Sequence, residues 1–129
     1  MQTNILLVED DRDLNLQVSS YLKCSGYQVK ATFNGLDALK EFEEDKYDLV
    51  LSDIMMPLMD GFELAKEIRS FNKEIPILFM SARDDKPSKQ LGYKVGIDDY
   101  ITKPFDLDEL VLKISAIARR LNIAKFVRT

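Results

Sequence analysis

Histidine is absent from the 129 residues of the chain. That absence excludes every reaction centre built on an imidazole, so there is no Ser-His-Asp or Cys-His arrangement and no imidazole metal ligand. Cysteine is nearly absent too. Cys24 alone cannot close a disulfide within the chain, so a reducing cytoplasm is the expected compartment. It falls on a predicted helix, where a small buried hydrophobe is expected and a reactive thiol is the alternative. No apolar run approaches the roughly 18 residues that span a bilayer. The start, Met1-Gln2-Thr3-Asn4, lacks the basic residues and long apolar core of a signal peptide. No membrane partner is expected. A net charge of -4 also argues against nucleic acid as the direct partner of this segment. There is no repeat, no low-complexity segment and no internal linker.

What remains is ordinary globular material, long enough to bury one full core. Five short segments read as strands: Asn4–Val8, Gln28–Ala31, Leu49–Asp53, Ile75–Met80 and Asp98–Ile101. The first, third and fourth are nearly continuous in apolar residues, as strands covered on both faces must be. Helical spacing fills the intervals. Leu14, Val18, Tyr21 and Leu22 keep one face, with Gly26 as the stop; Leu36, Leu39 and Phe42 repeat the pattern, as do Phe62, Ala65 and Ile68. A last stripe runs from Leu107 through Leu110, Val111, Ile114, Ile117 and Ala118 to Leu121. Asp106 is its expected N-cap and Arg119-Arg120 its expected C-terminal end. Pro87 falls in the first turn of the fourth helix, where it is tolerated. Alternating strands and helices predict an α/β, doubly wound five-stranded parallel sheet with right-handed crossovers.

Polar groups follow the apolar strands at four places. Glu9-Asp10-Asp11 follows Ile5-Leu6-Leu7-Val8. Asp53 ends Leu49-Val50-Leu51-Ser52-Asp53, Ser81 follows Ile77-Leu78-Phe79-Met80, and Lys103-Pro104 follows Asp99-Tyr100-Ile101-Thr102. In an open parallel sheet the carboxyl ends of the strands share one edge, where such folds bind and react. Burying a carboxylate such as Asp53 is costly unless something charged meets it. Asp10 and Asp11 are read as ligands of a hard divalent cation, with helix capping as the alternative. Glu9 is read as a neighbour of the site.

This pattern resembles the receiver domain of bacterial two-component response regulators, closest to the subfamily with winged-helix DNA-binding domains. The matching residues are Asp10-Asp11, Asp53, Ser81-Ala82 and Lys103-Pro104-Phe105, and the likeness runs from about Asn4 to about Leu121. It implies a flavodoxin-like fold with strand order 2-1-3-4-5, residues 1-122 as the receiver and 123-129 as a tail or start of a linker. Asp53 is then the phosphoacceptor for a sensor histidine kinase. Ser81 and Lys103 assist, and Mg²⁺ is held by Asp10, Asp11, Asp53 and the Met55 backbone carbonyl. The Lys103–Pro104 bond is implied to be cis. Ser81 and Tyr100 form the switch, read out at the fourth helix, fifth strand and fifth helix. There Lys89 with Glu109, and Asp99 with Lys113, occupy the places of ion pairs in a homodimer, although Gln90 replaces an apolar residue. Met55 and Arg83 offer no base to activate water, so slow self-dephosphorylation is expected. The chain is expected to be a phosphoacceptor rather than a dedicated enzyme.

Three other readings compete. A stand-alone receiver would signal by protein contact, without the DNA-binding half that transcriptional output requires. A degenerate receiver would bind partners without phosphorylation, but every expected site residue is present. An aspartyl phosphohydrolase usually has a second acid two residues after its nucleophile, and Met55 stands there.

Overall fold

Burial parity explains the apolar strands. In a strand, successive side chains point to opposite faces. Ile5 and Leu7 join one buried cluster with Leu49, Leu51, Leu78, Met80 and Ile101. Leu6 and Val8 join another with Val50, Ile77 and Phe79. A sheet apolar on both faces requires helices on both faces.

The computed structural model describes residues 3–128, with side chains described through residue 121. Its elements alternate: β1 (Asn4–Val8), α1 (Arg12–Cys24), β2 (Gln28–Thr32), α2 (Gly35–Glu44), β3 (Leu49–Asp53), α3 (Gly61–Phe71), β4 (Ile77–Ser81), α4 (Lys86–Val95), β5 (Asp99–Thr102) and α5 (Leu107–Arg128). The strands form one sheet in the order β2-β1-β3-β4-β5, all pairs parallel. Val18 and Leu22 of α1 and Leu110, Ile114 and Ile117 of α5 cover one face. Ala38 of α2 and Leu64, Ala65 and Ile68 of α3 cover the other. Edge strand β2 alternates exposed and partly buried residues, as an edge should.

Local chemistry sets the boundaries. Helix α1 ends in a Schellman turn: Gly26 takes φ +100°, Gly26 N–H donates to Lys23 O and Tyr27 N–H to Leu22 O, both at 3.1 Å. Helix α4 starts where Pro87 allows, with Asp85 as N-cap. Strand β4 begins two residues later than the apolar run. Pro76 has no N–H to offer the ladder, and the Ile77 N–H goes to the Asp98 carboxylate at 2.8 Å. Both β4 and β5 extend one residue further than expected, so Ser81 pairs with Thr102 on the last rung.

Two expectations are corrected. Cys24 is exposed; it lies two residues past buried Leu22 and so turns away from the sheet. Arg119-Arg120 do not end α5, which runs on to Arg128 because no glycine or proline stops it. The helix thus passes through the segment expected as tail or linker. The side chains from residue 122 on, and Met1, Gln2 and Thr129, lie outside the described residues.

Candidate functional site at the carboxyl edge of the sheet

Parallel strands end together, so the side chains just past their last rungs must meet. Glu9 follows β1, Asp53 closes β3, Ser81 closes β4 and Lys103 follows β5. Lys103 Nζ donates to Glu9 Oε1 at 2.6 Å and to Asp53 Oδ2 at 3.0 Å. Asp53 Oδ1 accepts the Ile54 N–H at 2.7 Å, and Glu9 Oε2 accepts the Asp11 N–H at 3.0 Å. Glu9 and Ser81 are 0% exposed and Asp53 6%. The Lys103–Pro104 peptide bond is cis.

Glu9, Asp10 and Asp53 each bring a carboxylate oxygen within 4.8 Å of the others. Like charges this close repel by several kcal/mol at a low effective dielectric, and the Lys103 ammonium answers only part of the charge. Burial pushes the Glu9 carboxyl up to about 7, while hydrogen bonds from Lys103 and the Asp11 N–H pull it down. Burial works against the Lys103 ammonium, but its hydrogen bonds to Glu9 and Asp53 prevail and hold it above the ordinary lysine value. All three potential ligands are hard oxygen donors, the set that suits Mg²⁺.

For Asp11 the structure shows the capping alternative, and it places Glu9 closer to Asp10 and Asp53 than the sequence pattern suggests. Asp11 accepts the N–H groups of Asp13 and Leu14 at 3.1 and 3.2 Å as the N-cap of α1. It stands outside the group of three acids, and Glu9 stands inside it. A signal existed. Glu9 immediately follows the pleat and its N–H continues the ladder to Thr32 O at 3.1 Å, whereas Asp11 precedes Leu14 by three residues, a capping interval.

The remaining side chains frame this edge. Gly61 opens α3 against the backbone of Asp53, where a Cβ would lie 2.5 Å from Asp53 O. Met55 is 57% exposed at the rim. Ser81 Oγ accepts the Arg83 N–H at 3.1 Å, and Tyr100 Oη donates to Arg83 O at 2.5 Å. Burial raises the Tyr100 phenol above its ordinary value. The Tyr100 ring meets Phe79 edge to face at 6.4 Å between centroids, and Lys89 Nζ lies 5.5 Å from the Tyr100 ring centre. Tyr100 is thus turned inward, with its hydroxyl on the backbone of Arg83, two residues past the end of β4. On the face formed by α4, β5 and α5, Lys113 pairs with Asp99 at 3.3 Å within the chain. Gln90 and Glu109 are exposed there.

The carboxyl-edge acids, the inward lysine and the 2-1-3-4-5 sheet define one class, and comparison with known proteins agrees. The model of the response regulator receiver domain matches residues 5–115. The chain belongs to that family. It is 47% identical over 117 residues to the transcriptional regulatory protein RprY of Bacteroides fragilis, covering 91% of this chain and 50% of that protein. It is 40% identical over 124 residues to the alkaline phosphatase synthesis transcriptional regulatory protein PhoP of Bacillus subtilis, covering 96% and 52%. The receiver domain of the Francisella response regulator 1452 superposes with a TM-score of 0.88 at 32% identity, covering 93% of this chain and 99% of that one. The chain spans about half the length of the curated relatives it matches. Among the described residues, no helix is long and apolar enough to cross a membrane.

Proposed function

We propose that this receiver takes a phosphoryl group onto Asp53 from a phosphohistidine of a sensor kinase. The observation that carries the reading is the placement of Asp53 beside Lys103 Nζ, within a group of three carboxylates at the sheet edge. An Asp53 carboxylate oxygen attacks phosphorus and the phosphorus–nitrogen bond of the donor breaks. The imidazole leaves with the electron pair and takes up a proton, and an acyl phosphate remains. Such transfer depends on positioning and on neutralising the equatorial oxygens. Lys103 neutralises one. Ser81, whose hydroxyl now serves the Arg83 N–H, is the donor for another after a change of rotamer.

Glu9, Asp10 and Asp53 fit a divalent ion, with the Met55 carbonyl as the expected fourth protein ligand. Mg²⁺ bound there supplies charge neutralisation to the transferring oxygens. Asp11 contributes through the helix cap, which fixes the backbone next to Asp10.

Readout follows from local charge. The acyl phosphate adds negative charge and acceptor oxygens, draws Ser81 away from Arg83, and biases the loop on which Tyr100 Oη rests. The α4–β5–α5 face then favours a symmetric dimer, with Lys89, Asp99, Glu109 and Lys113 setting register rather than affinity. Two relatives are named as transcriptional regulators, so transcription control through a DNA-binding segment outside these residues is the proposed output, in a reducing cytoplasm.

Incubation with acetyl phosphate and Mg²⁺, followed by intact mass, tests the reading. One added phosphoryl group is expected with Mg²⁺ and none with excess chelator. No gain in a folded protein that binds Mg²⁺ contradicts phosphorylation and leaves a receiver-shaped interaction module.

A further inference from the structure

Asn15 lies on the stripe of α1 that includes buried Val18 and Leu22, where packing on a sheet calls for an apolar residue. It is 2% exposed. Its Nδ2 donates to Glu9 O and to Thr32 O, both at 2.9 Å. Both amide hydrogens are therefore engaged, each on a different strand end. Strand pairing does not depend on this side chain, because Glu9 N–H already reaches Thr32 O at 3.1 Å and Thr32 Oγ1 donates to Leu7 O at 2.7 Å.

The Glu9 carbonyl belongs to the peptide that joins Glu9 to Asp10. Those residues carry two of the three carboxylates that converge on the site. Turning that peptide plane swings one carboxylate relative to the other. The Glu9 side chain is already anchored at both oxygens, by Lys103 Nζ and by the Asp11 N–H. The plane between the acids is what sets the direction of Asp10, which is exposed.

We propose that Asn15 is a positioning residue for the divalent cation, acting through the Glu9–Asp10 peptide. This role rests on reading the three acids as a Mg²⁺ site. Groups that orient metal ligands typically contribute 10–100-fold in affinity, roughly, when they bond the ligand side chain itself. Asn15 acts one bond further back, so the lower end of that range applies.

The test compares the native domain with Asn15→Leu, which keeps volume and removes both donors, and Asn15→Ser, which keeps one. Ser19→Ala is the control: Ser19 is a buried polar residue of the same helix whose hydroxyl bonds Leu16 O. Mg²⁺ affinity is read by calorimetry, and the rate of phosphorylation by acetyl phosphate is read against Mg²⁺ concentration. Asn15→Leu is expected to weaken Mg²⁺ about tenfold, Asn15→Ser less, and Ser19→Ala not at all. At saturating Mg²⁺ the Asn15 variants regain the native rate, because the reacting groups are untouched. If Asn15→Leu melts earlier but binds Mg²⁺ as the native chain does, Asn15 is a strand tie and the proposal is overturned. Should Asn15→Leu not fold, an unchanged Mg²⁺ affinity in Asn15→Ser overturns it equally. A native chain that binds no Mg²⁺ removes the reading of the site itself, and the role of Asn15 with it.

Discussion

Lys103 concentrates the argument at the scale of residues. It donates to Glu9 and to Asp53, two carboxylates from strands β1 and β3, while itself following β5. Replacing it by alanine leaves those acids to each other and, in the proposed transfer, removes a cation aimed where negative charge grows. Losing such a preorganised donor costs roughly 100-fold in rate. Lys103→Ala is expected to slow phosphorylation by acetyl phosphate by about that factor at saturating Mg²⁺. A rate within twofold of native would show that the lysine only steadies the apo cluster. That Asp53, Ser81 and Lys103 meet at one edge was legible in the sequence, because each is a polar group at the end of an apolar strand. The placement of Glu9 and Asp11 was harder to read. A run of three acids has no visible register until the pleat of β1 is counted forward and the cap of α1 counted back. Cys24 was misplaced for a simpler reason, since helix phase from Val18 and Leu22 already turned it outward.

Among the elements, α4 begins at a titratable group whose carboxyl is shifted from its ordinary value. Asp85 accepts the Ser88 N–H at 2.9 Å and the Ser88 hydroxyl at 2.9 Å. The hydrogen bond from the Ser88 side chain, then that from its backbone, hold the Asp85 carboxyl below its ordinary value of 3.8. A depressed folded-state pKa contributes stability at pH above the ordinary carboxylate value and loses it as pH falls through the lower one. The first turn of α4 is therefore expected to loosen only below that ordinary value. Protection of the Ser88 amide, taken relative to its intrinsic exchange rate, should fall there in the native chain, while Asp85→Asn should flatten the response. An equal fall in both would place the acid sensitivity elsewhere. The strands and the helices α1, α2, α3 and α5 were readable from their apolar patterns, but the ends were not. The last turns of β4 and β5 depended on Ser81 meeting Thr102 across the sheet, and α5 carried no stop signal to read.

Over the whole molecule, one sheet apolar on both faces brings Glu9, Asp10, Asp53, Ser81 and Lys103 to its carboxyl edge. That edge is electrostatically unfavourable without a cation, and a ligand that binds only the folded state stabilises it by mass action. At ten times its dissociation constant, Mg²⁺ should add about 1.4 kcal/mol to folding stability, an increase of roughly 5 °C in melting temperature for a domain of this size. Asp10→Asn should abolish that increase and leave the melting temperature without Mg²⁺ equal or higher, because one repelling charge is gone. A Mg²⁺ effect that survives Asp10→Asn would locate the ion away from the three acids. The inward setting of Tyr100 belongs to this scale as well. Its hydroxyl partner, Arg83 O, is 17 residues away in sequence, and nothing local announced it.

On the proposed reading, one carboxylate of the edge, Asp53, and no other forms the acyl phosphate. The most direct measurement treats the protein with acetyl phosphate and Mg²⁺, reduces it with borohydride, and maps the peptides by tandem mass spectrometry. Reduction converts an aspartyl phosphate to homoserine and leaves free carboxylates unchanged. Homoserine at position 53 alone, and none in Asp53→Ala, is the predicted result. Homoserine at Asp10, Asp11 or Asp60, or none anywhere in a protein that folds and binds Mg²⁺, would contradict the account.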